Sequence, residues 1–216
     1  MALDEIYFDY SPADVLDFWF PDTGYENTPE TYAAFWTERM QGGMDAAIIT
    51  RFAILTRSAA LGQLDHWAET ARGRLALLIA LDQFSRSLWR DKPAAFAQDI
   101  KATRLALEGI ENGHFSDLAP WEMTFFVIAI GHCEGPDHLQ RMCELEEAVE
   151  EIAQKLPRQL CESGLRLRAQ HALVTQIIKT YGRHPHRNQI LSRLSTSEEA
   201  RYIADGDFPH IPKSRR

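Results

Sequence analysis

Apolar residues recur at helical spacing along almost the whole chain, and no stretch alternates apolar and polar residues. A capping residue precedes proline at Ser11-Pro12 and Thr28-Pro29, and glycine follows two further apolar runs at Gly62 and Gly113. Side chains three and four positions apart share one face of a helix, whereas a half-buried strand needs alternation in steps of two. The pattern therefore predicts an all-α chain, an antiparallel helical array with short connections and no sheet.

The same signals divide the chain into predicted helices. The run 120–130 is apolar all round, which predicts burial on every side. Ser195 and Glu198 have the spacing of a capping box for a last short helix ending near position 204. Two stretches, 59–64 and 105–109, end alike and suggest tetratricopeptide-like helix pairs, although no clean repeat of about 34 residues fits. The other expected helices cover about 12–20, 29–40, 44–61, 75–89, 94–112, 136 onward and 165–180.

Length and charge restrict the class of protein. The 216 residues suit one domain covering 1–216, and the net charge of −8 argues against general affinity for nucleic acid. The longest apolar stretch, 125–130, is too short to span a bilayer. Acidic residues stand near the N-terminus where a signal peptide would be cationic, and Cys133, Cys143 and Cys161 form no CxxC pair. We therefore expect a cytoplasmic protein without nucleic-acid or membrane partners; the sequence predicts no oligomeric state.

A cationic turn near the C-terminus is the first candidate site. The segment 181–188 carries two arginines and two histidines, Arg183, His184, His186 and Arg187, on an otherwise acidic chain. Guanidinium groups form paired hydrogen bonds with phosphate and carboxylate. The turn therefore predicts an anion- or carboxylate-binding corner.

A second group of polar residues lies on the predicted helix 75–89. Leu77, Leu81, Phe84 and Leu88 form one apolar stripe, and the opposite side begins apolar and then becomes polar at Asp82, Gln83, Arg86 and Arg90. Polar groups that continue a buried face are partly buried and need partners. The alternative is a simple local ion pair between Asp82 and Arg86, four residues apart.

A third group follows the most apolar helix in the turn Gly131-His132-Cys133-Glu134. A helix that is buried all round brings its end to the interior, where burial and pairing shift the pKa values of His132 and Glu134. The alternative is that these two side chains only cap helix ends. The spacing of the histidines and acids matches no zinc motif, so we predict neither a metal nor a cofactor.

Five motif blocks follow one another along the chain: Val15-Leu16-Asp17-Phe18-Trp19-Phe20, Leu81-Asp82-Gln83-Phe84-Ser85-Arg86, His132-Cys133-Glu134, Gly182-Arg183-His184-Pro185-His186-Arg187-Asn188 and Ser195-Thr196-Ser197-Glu198-Glu199. These blocks resemble an uncharacterised, mostly bacterial family, the domain of unknown function 924. The similarity covers about 13–208, with 209–216 as a tail, and implies an all-helical fold similar to tetratricopeptide repeats with no established activity.

The chain departs from the family pattern at five positions. Ser85 stands for the usual proline, Ser87 for asparagine, Cys133 for serine, His184 for an aromatic residue and Ser192 for glycine. The thiol of Cys133 is a weaker hydrogen-bonding group than a hydroxyl. A structural role for that position is therefore favoured over a chemical one.

Together the three blocks suggest one pocket for a small anionic ligand, with acid/base chemistry. The expected ligand-binding residues are Gln83, Arg86, Arg90, Arg183, Arg187 and Asn188. The titratable residues are His132, Glu134 and His186. No phosphate loop, nucleophile elbow or dinucleotide motif selects a reaction, so the sequence leaves open whether the protein is an enzyme.

Two other interpretations remain open. In the first, the chain is a tetratricopeptide-like interaction module, whose arginines bind the acidic groups of a protein or peptide partner. The aromatic residues Trp19, Phe20, Phe35, Trp36, Trp67, Trp89 and Trp121 would line its groove, although helical spacing favours the core for them. In the second, the polar blocks form a purely structural network that locks the helices together, with Arg183 and Arg187 paired to Asp82 or Glu134.

Overall fold

The computed structural model describes residues 10–206 and 208, and within them every regular element is a helix. The predicted all-α class is confirmed. The α-helices are α1 Pro12–Trp19, α2 Pro29–Met40, α3 Asp45–Ala60, α4 Ala71–Leu78, α5 Ser85–Leu88, α6 Asp99–Glu111, α7 Pro120–His132, α8 His138–Glu144, α9 Glu146–Lys155, α10 Cys161–Tyr181 and α11 Ser197–Asp205. Short 3-10 helices cover Asp65–Glu69, Pro93–Phe96, Arg158–Leu160 and Pro185–Arg187.

A π-helix over Ile79–Phe84 joins α4 to α5, so that 71–88 forms one rod through the centre of the protein. The rod packs against α1, α3, α6 and α7. Its side chain Phe84 is fully buried and lies in ring contact with Trp19 and Phe52. Helix α7 is almost wholly buried, as its sequence predicted, with Phe125, Phe126 and Ile130 in the core. The end of α7 and the middle of the rod therefore meet inside the protein.

Two predicted helix starts are confirmed by their caps. The Ser11 side chain accepts a hydrogen bond from the backbone of Asp14, and the Thr28 side chain accepts one from Thr31. The capping box of the last helix is shifted by one residue from the prediction. It consists of Thr196 and Glu199, because the Ser195 hydroxyl instead accepts a hydrogen bond from Asn188 at 3.0 Å.

Several predicted boundaries were wrong. Pro93 opens a 3-10 turn, and the α-helix begins at Asp99. The acidic run after Pro136 is divided into α8 and α9, and α10 begins at Cys161. The central rod ends at Leu88, where the chain turns through Asp91 with a φ of 61°.

The aromatic residues are mainly core residues. Trp19, Phe35 and Trp67 are buried, and Phe35 stacks on Tyr25 with ring centroids 3.9 Å apart. Tyr25, Tyr32, Phe35 and Leu160 form a second, smaller apolar cluster. No helix between residues 10 and 206 is long and apolar enough to cross a membrane.

Candidate functional site

The carboxylate of Asp82 is the centre of the candidate site. It is buried within the π-helix, and its Oδ1 lies 2.8 Å from Nδ1 of His132 and 2.8 Å from the Arg86 guanidinium. The Gln83 amide donates to the other carboxylate oxygen. Because an ionised carboxylate only accepts, His132 presents a protonated Nδ1 to Asp82. The ion pair expected between Asp82 and Arg86 is thus present, but it belongs to a larger group that includes His132.

The π-helix explains how one turn delivers these side chains to α7. Its hydrogen bonds join residues five apart instead of four, so a turn holds an extra residue and the following side chains are rotated. Asp82 and Gln83 are both buried in this segment. Asp82 thereby points to His132, fifty residues later in the chain.

Asp99, the first residue of α6, extends the network. Its two carboxylate oxygens accept from Arg86 at 2.9 Å and from Arg187 at 3.1 Å. Arg187 also donates to the His132 carbonyl at 2.8 Å, and its guanidinium lies 4.6 Å from the centre of the Phe96 ring. Asp99 therefore separates two neighbouring cations and joins the central rod to the C-terminal turn.

Burial and charge set the protonation states of this network. Burial favours the neutral acid, but the Arg86 guanidinium and His132 outweigh it and hold the pKa of Asp82 well below its usual range. Burial lowers the pKa of His132, the positive charge of Arg86 lowers it further, and Asp82 opposes both. The favoured state at neutral pH is an ionised Asp82 beside a neutral His132.

Glu134, two residues after His132, forms a separate ion pair. Its carboxylate pairs with Arg193 and accepts the backbone N–H of His184 at 2.7 Å. Burial raises the pKa of Glu134, but these hydrogen bonds outweigh it and the net shift is downward. Arg193 also donates to Asn188 at 3.0 Å. Glu134 therefore holds the C-terminal turn against α7 and does not cap the next helix.

Two imidazoles share the carbonyl at the end of α7. Nε2 of His184 lies 3.0 Å from the Gly131 oxygen, and Nε2 of His138 lies 3.1 Å from the same atom. Their rings are 5.4 Å apart, and both side chains are buried. The alternative role of His132 was to cap the end of α7. The structure gives that role to His138 and His184, whose rings bind the Gly131 carbonyl.

The structure brings only part of the predicted site together. Asp82, Gln83, Arg86, His132 and Arg187 form one connected network, and Glu134 and Asn188 join it through Arg193 and the C-terminal turn. The ring of His186 packs beside His184 and Phe208.

Two of the predicted arginines form ion pairs outside that network. Arg90 follows the end of the rod and pairs with Asp45, near the start of α3. Arg183 makes two hydrogen bonds with Glu199, at 2.7 and 2.9 Å. The carboxylate partners of Arg183 and Arg187 are Glu199 and Asp99, not Asp82 or Glu134.

Four structural partners were missed by sequence reasoning: Asp99, Arg193, Glu199 and His138. Glu199 had a signal, because it ends the motif block that begins at Ser195. Cys133 is buried, and burial raises the pKa of its thiol. Its backbone carbonyl accepts from Arg141 at 2.7 Å, in keeping with a structural role.

The described residues also contain a groove away from this network. It has a volume of about 660 Å³, lies between α10 and the α8–α9 pair, and includes Leu139, Val149 and Ala172 in its lining. Within the described part of the chain, no group of three or more His, Cys, Asp or Glu side chains is placed to hold a metal ion.

Comparison with known proteins gives a family but no activity. No curated protein matches the chain. A solved structure of a protein of unknown function from Agrobacterium tumefaciens is similar, with a TM-score of 0.65 and 30% sequence identity, over 90% of this chain and 97% of that one. The model of a bacterial family of proteins of unknown function, DUF924, matches residues 15–207. This match covers the rod, α7 and the C-terminal turn, and the chain therefore belongs to the DUF924 family.

Proposed function

We propose that the chain binds a small anion, a phosphate or a carboxylate, at the partly exposed edge of the network formed by Arg86 and His132. The observation that supports this proposal is the Asp82–His132 pair beside a guanidinium, with His132 and Arg86 side chains 18% and 17% exposed. Asp82 orients the imidazole, and Arg86 supplies a planar cation suited to an oxyanion. Arg187 and Asp99, both more deeply buried, act behind this edge.

The charge balance gives the proposal a specific form. Asp82 and Asp99 neutralise Arg86 and Arg187, so the network has no net charge while His132 is neutral. A bound anion favours the protonated imidazole and raises its pKa. Binding is therefore accompanied by proton uptake at His132, the group that would also exchange a proton with a substrate.

The π-helix is consistent with this proposal. Single π turns inside α-helices are frequent at functional sites, and this one carries Asp82 and Gln83. We further propose a cytoplasmic location, in which Cys133, Cys143 and Cys161 stay as the free thiols of the structure.

Sulfate is the best probe, because its charge does not change between pH 8 and pH 6. At constant ionic strength set with chloride, we expect sulfate to raise the thermal unfolding midpoint in a saturable way, since a ligand of the native state stabilises it. The affinity should increase as the pH falls from 8 to 6, by at most about tenfold per unit for one proton taken up. Differential scanning fluorimetry at several sulfate concentrations and pH values measures both effects.

Three variants make this test specific. His132→Asn keeps a donor for Asp82 and removes the titratable ring, so the pH dependence of affinity should disappear. Arg86→Lys should weaken sulfate binding, while Arg90→Ala, whose arginine pairs with Asp45 outside the network, should leave it unchanged. A midpoint that responds to sulfate no more than to chloride in the parent protein would rule the binding site out and leave the network with a structural role.

A further inference from the structure

The C-terminal segment 182–206 is docked on the body of the protein with one buried apolar side chain of its own among the described residues, Pro185. Among the described residues, the buried Leu, Ile, Val, Met, Ala, Cys, Phe, Tyr and Trp side chains end at Ile178, and Ile190, Leu191, Tyr202 and Ile203 of the segment are only partly buried. Leu194 is 93% exposed. The segment begins at Gly182, which ends α10 with a left-handed φ of 69°. Polar contacts therefore contribute much of what holds it in place.

These polar contacts converge on the C-terminal end of α7 and on Asp99, the first residue of α6. Arg187 bonds to Asp99 and to the His132 carbonyl, Arg193 pairs with Glu134, and the backbone of His184 donates to Glu134. The His184 ring bonds to the Gly131 carbonyl, which also accepts from His138 of α8. A proton added to either ring therefore places a positive charge among the contacts that hold the segment.

We propose that 182–206 is a proton-sensitive clasp, which leaves the ends of α7 and α8 when His184 and His138 become protonated while the helical core stays folded. The proposal stands on the two imidazoles that share one carbonyl and on the polar character of the docked segment. It is independent of anion binding at Arg86 and His132.

The surroundings of the two rings oppose a positive charge. The charged groups around the two rings are Arg187 and Arg193 in the segment, Arg141 on α8 and Glu134 after α7. Asp99 pairs with Arg187, and Asp137 lies 3.6 Å from Arg141. The titratable neighbours are His132 and His186. Nδ1 of His138 is buried and has no hydrogen-bond partner among the described residues. A second proton on that ring would therefore lie there without an acceptor.

The direction of the pH effect follows from these contacts. Burial, with help from Arg141, lowers the pKa of His138 to about 4, and burial and Arg187 lower the pKa of His184 well below its ordinary value. Released histidines titrate near pH 6.5. The docked state therefore binds fewer protons than the released state between about pH 6.5 and pH 4. Docking is favoured above pH 6.5 and weakens as the pH falls through this window.

Hydrogen exchange followed by mass spectrometry tests the clasp on the full chain. Labelling times are scaled so that the intrinsic exchange is equal at pH 7 and pH 5. We expect peptides from 182–206 to lose protection at pH 5 by about tenfold or more, as one or two protons per released segment require. Peptides from α4 to α7 should keep their protection.

Variants assign the effect to the two rings. His184→Gln and His138→Gln each keep an N–H donor and cannot be protonated, so each should reduce the loss of protection at pH 5. His66→Gln, at an exposed position on the 3-10 helix Asp65–Glu69, should behave as the parent protein. If His184→Gln is already undocked at pH 7, His184→Phe, which keeps an aromatic ring at this position, serves as its replacement.

Three different results would contradict the proposed clasp. Equal protection of 182–206 at pH 7 and pH 5 would show that its docking does not depend on these protons. Parallel loss across α4 to α7 would show that acid unfolds the whole chain together. If His138→Gln and the His184 variant that remains docked at pH 7 both lose protection at pH 5 as the parent protein does, the pH effect belongs to other groups.

Discussion

Asp99→Asn should lower the free energy of unfolding by about 3–5 kcal/mol, the range for breaking a buried ion pair from one side. Asp99 is buried and is the carboxylate that Arg86 and Arg187 share. An amide of the same size removes the negative charge but leaves two neighbouring guanidinium groups to repel each other. Urea unfolding at pH 7, followed by far-ultraviolet circular dichroism, measures the change.

The matched control for this substitution is Asp117→Asn, at an exposed position in the connection between α6 and α7. It makes the same chemical change, and we expect an effect within about 0.5 kcal/mol. A loss below about 1 kcal/mol for Asp99→Asn would mean that the two guanidiniums do not depend on this carboxylate. The network would then contribute little to joining α6, the rod and the C-terminal turn.

Phe84→Ala should destabilise the protein by about 3–5 kcal/mol, because it removes a fully buried ring from the centre of the rod. The ring contacts Trp19, Phe18 and Phe52, from α1 and α3, with centroids 5.0 to 6.1 Å away. The loss combines the hydrophobic transfer of the ring with the cavity that remains. The same urea unfolding experiment measures it.

Two further substitutions separate the cavity from other effects. Phe84→Leu retains most of the apolar volume and should cost clearly less than Phe84→Ala. Leu194→Ala, at a 93% exposed position, should change the stability by less than about 0.5 kcal/mol. Equal losses for Phe84→Leu and Phe84→Ala would point to a specific ring contact instead of buried volume.

The helices were predictable where a local signal marks them. Ser11 and Thr28 cap their helices with their own side chains, and the apolar run of α7 requires burial wherever it packs. The π-helix was not predictable from spacing, since Leu81 and Phe84 also fit an α-helix. Whether this segment forms α-helical or π-helical hydrogen bonds depends on how it packs against α3 and α6. The local sequence carries no information about that packing.

The candidate site was predictable in its cations and histidines but not in all their partners. Arg86 and His132 lie in distinctive blocks, so they could be singled out as candidates, but the order of the blocks in the sequence does not show that they meet. Asp99, which separates Arg86 from Arg187, lies 88 residues before Arg187 in the chain, and Arg193 lies 59 residues after Glu134. Ion pairs across such separations depend on the tertiary fold, and no spacing rule identifies them. Arg90 was placed in the site by extending a helix that ends at Leu88.

The π-helix over Ile79–Phe84 has a consequence for aligning this chain with its relatives. The rod corresponds to an α-helix that has gained one residue, so deletion of one residue there would allow an uninterrupted α-helical ladder. The wide turn accommodates the extra residue locally, so the side chains beyond Phe84 would keep their orientation after the deletion, and the change would fall on the turn that carries Asp82 and Gln83. Asp82 would then lose the position from which it reaches His132. A one-residue gap at this point would therefore identify relatives in which the rod no longer carries the network, even where the flanking residues are identical.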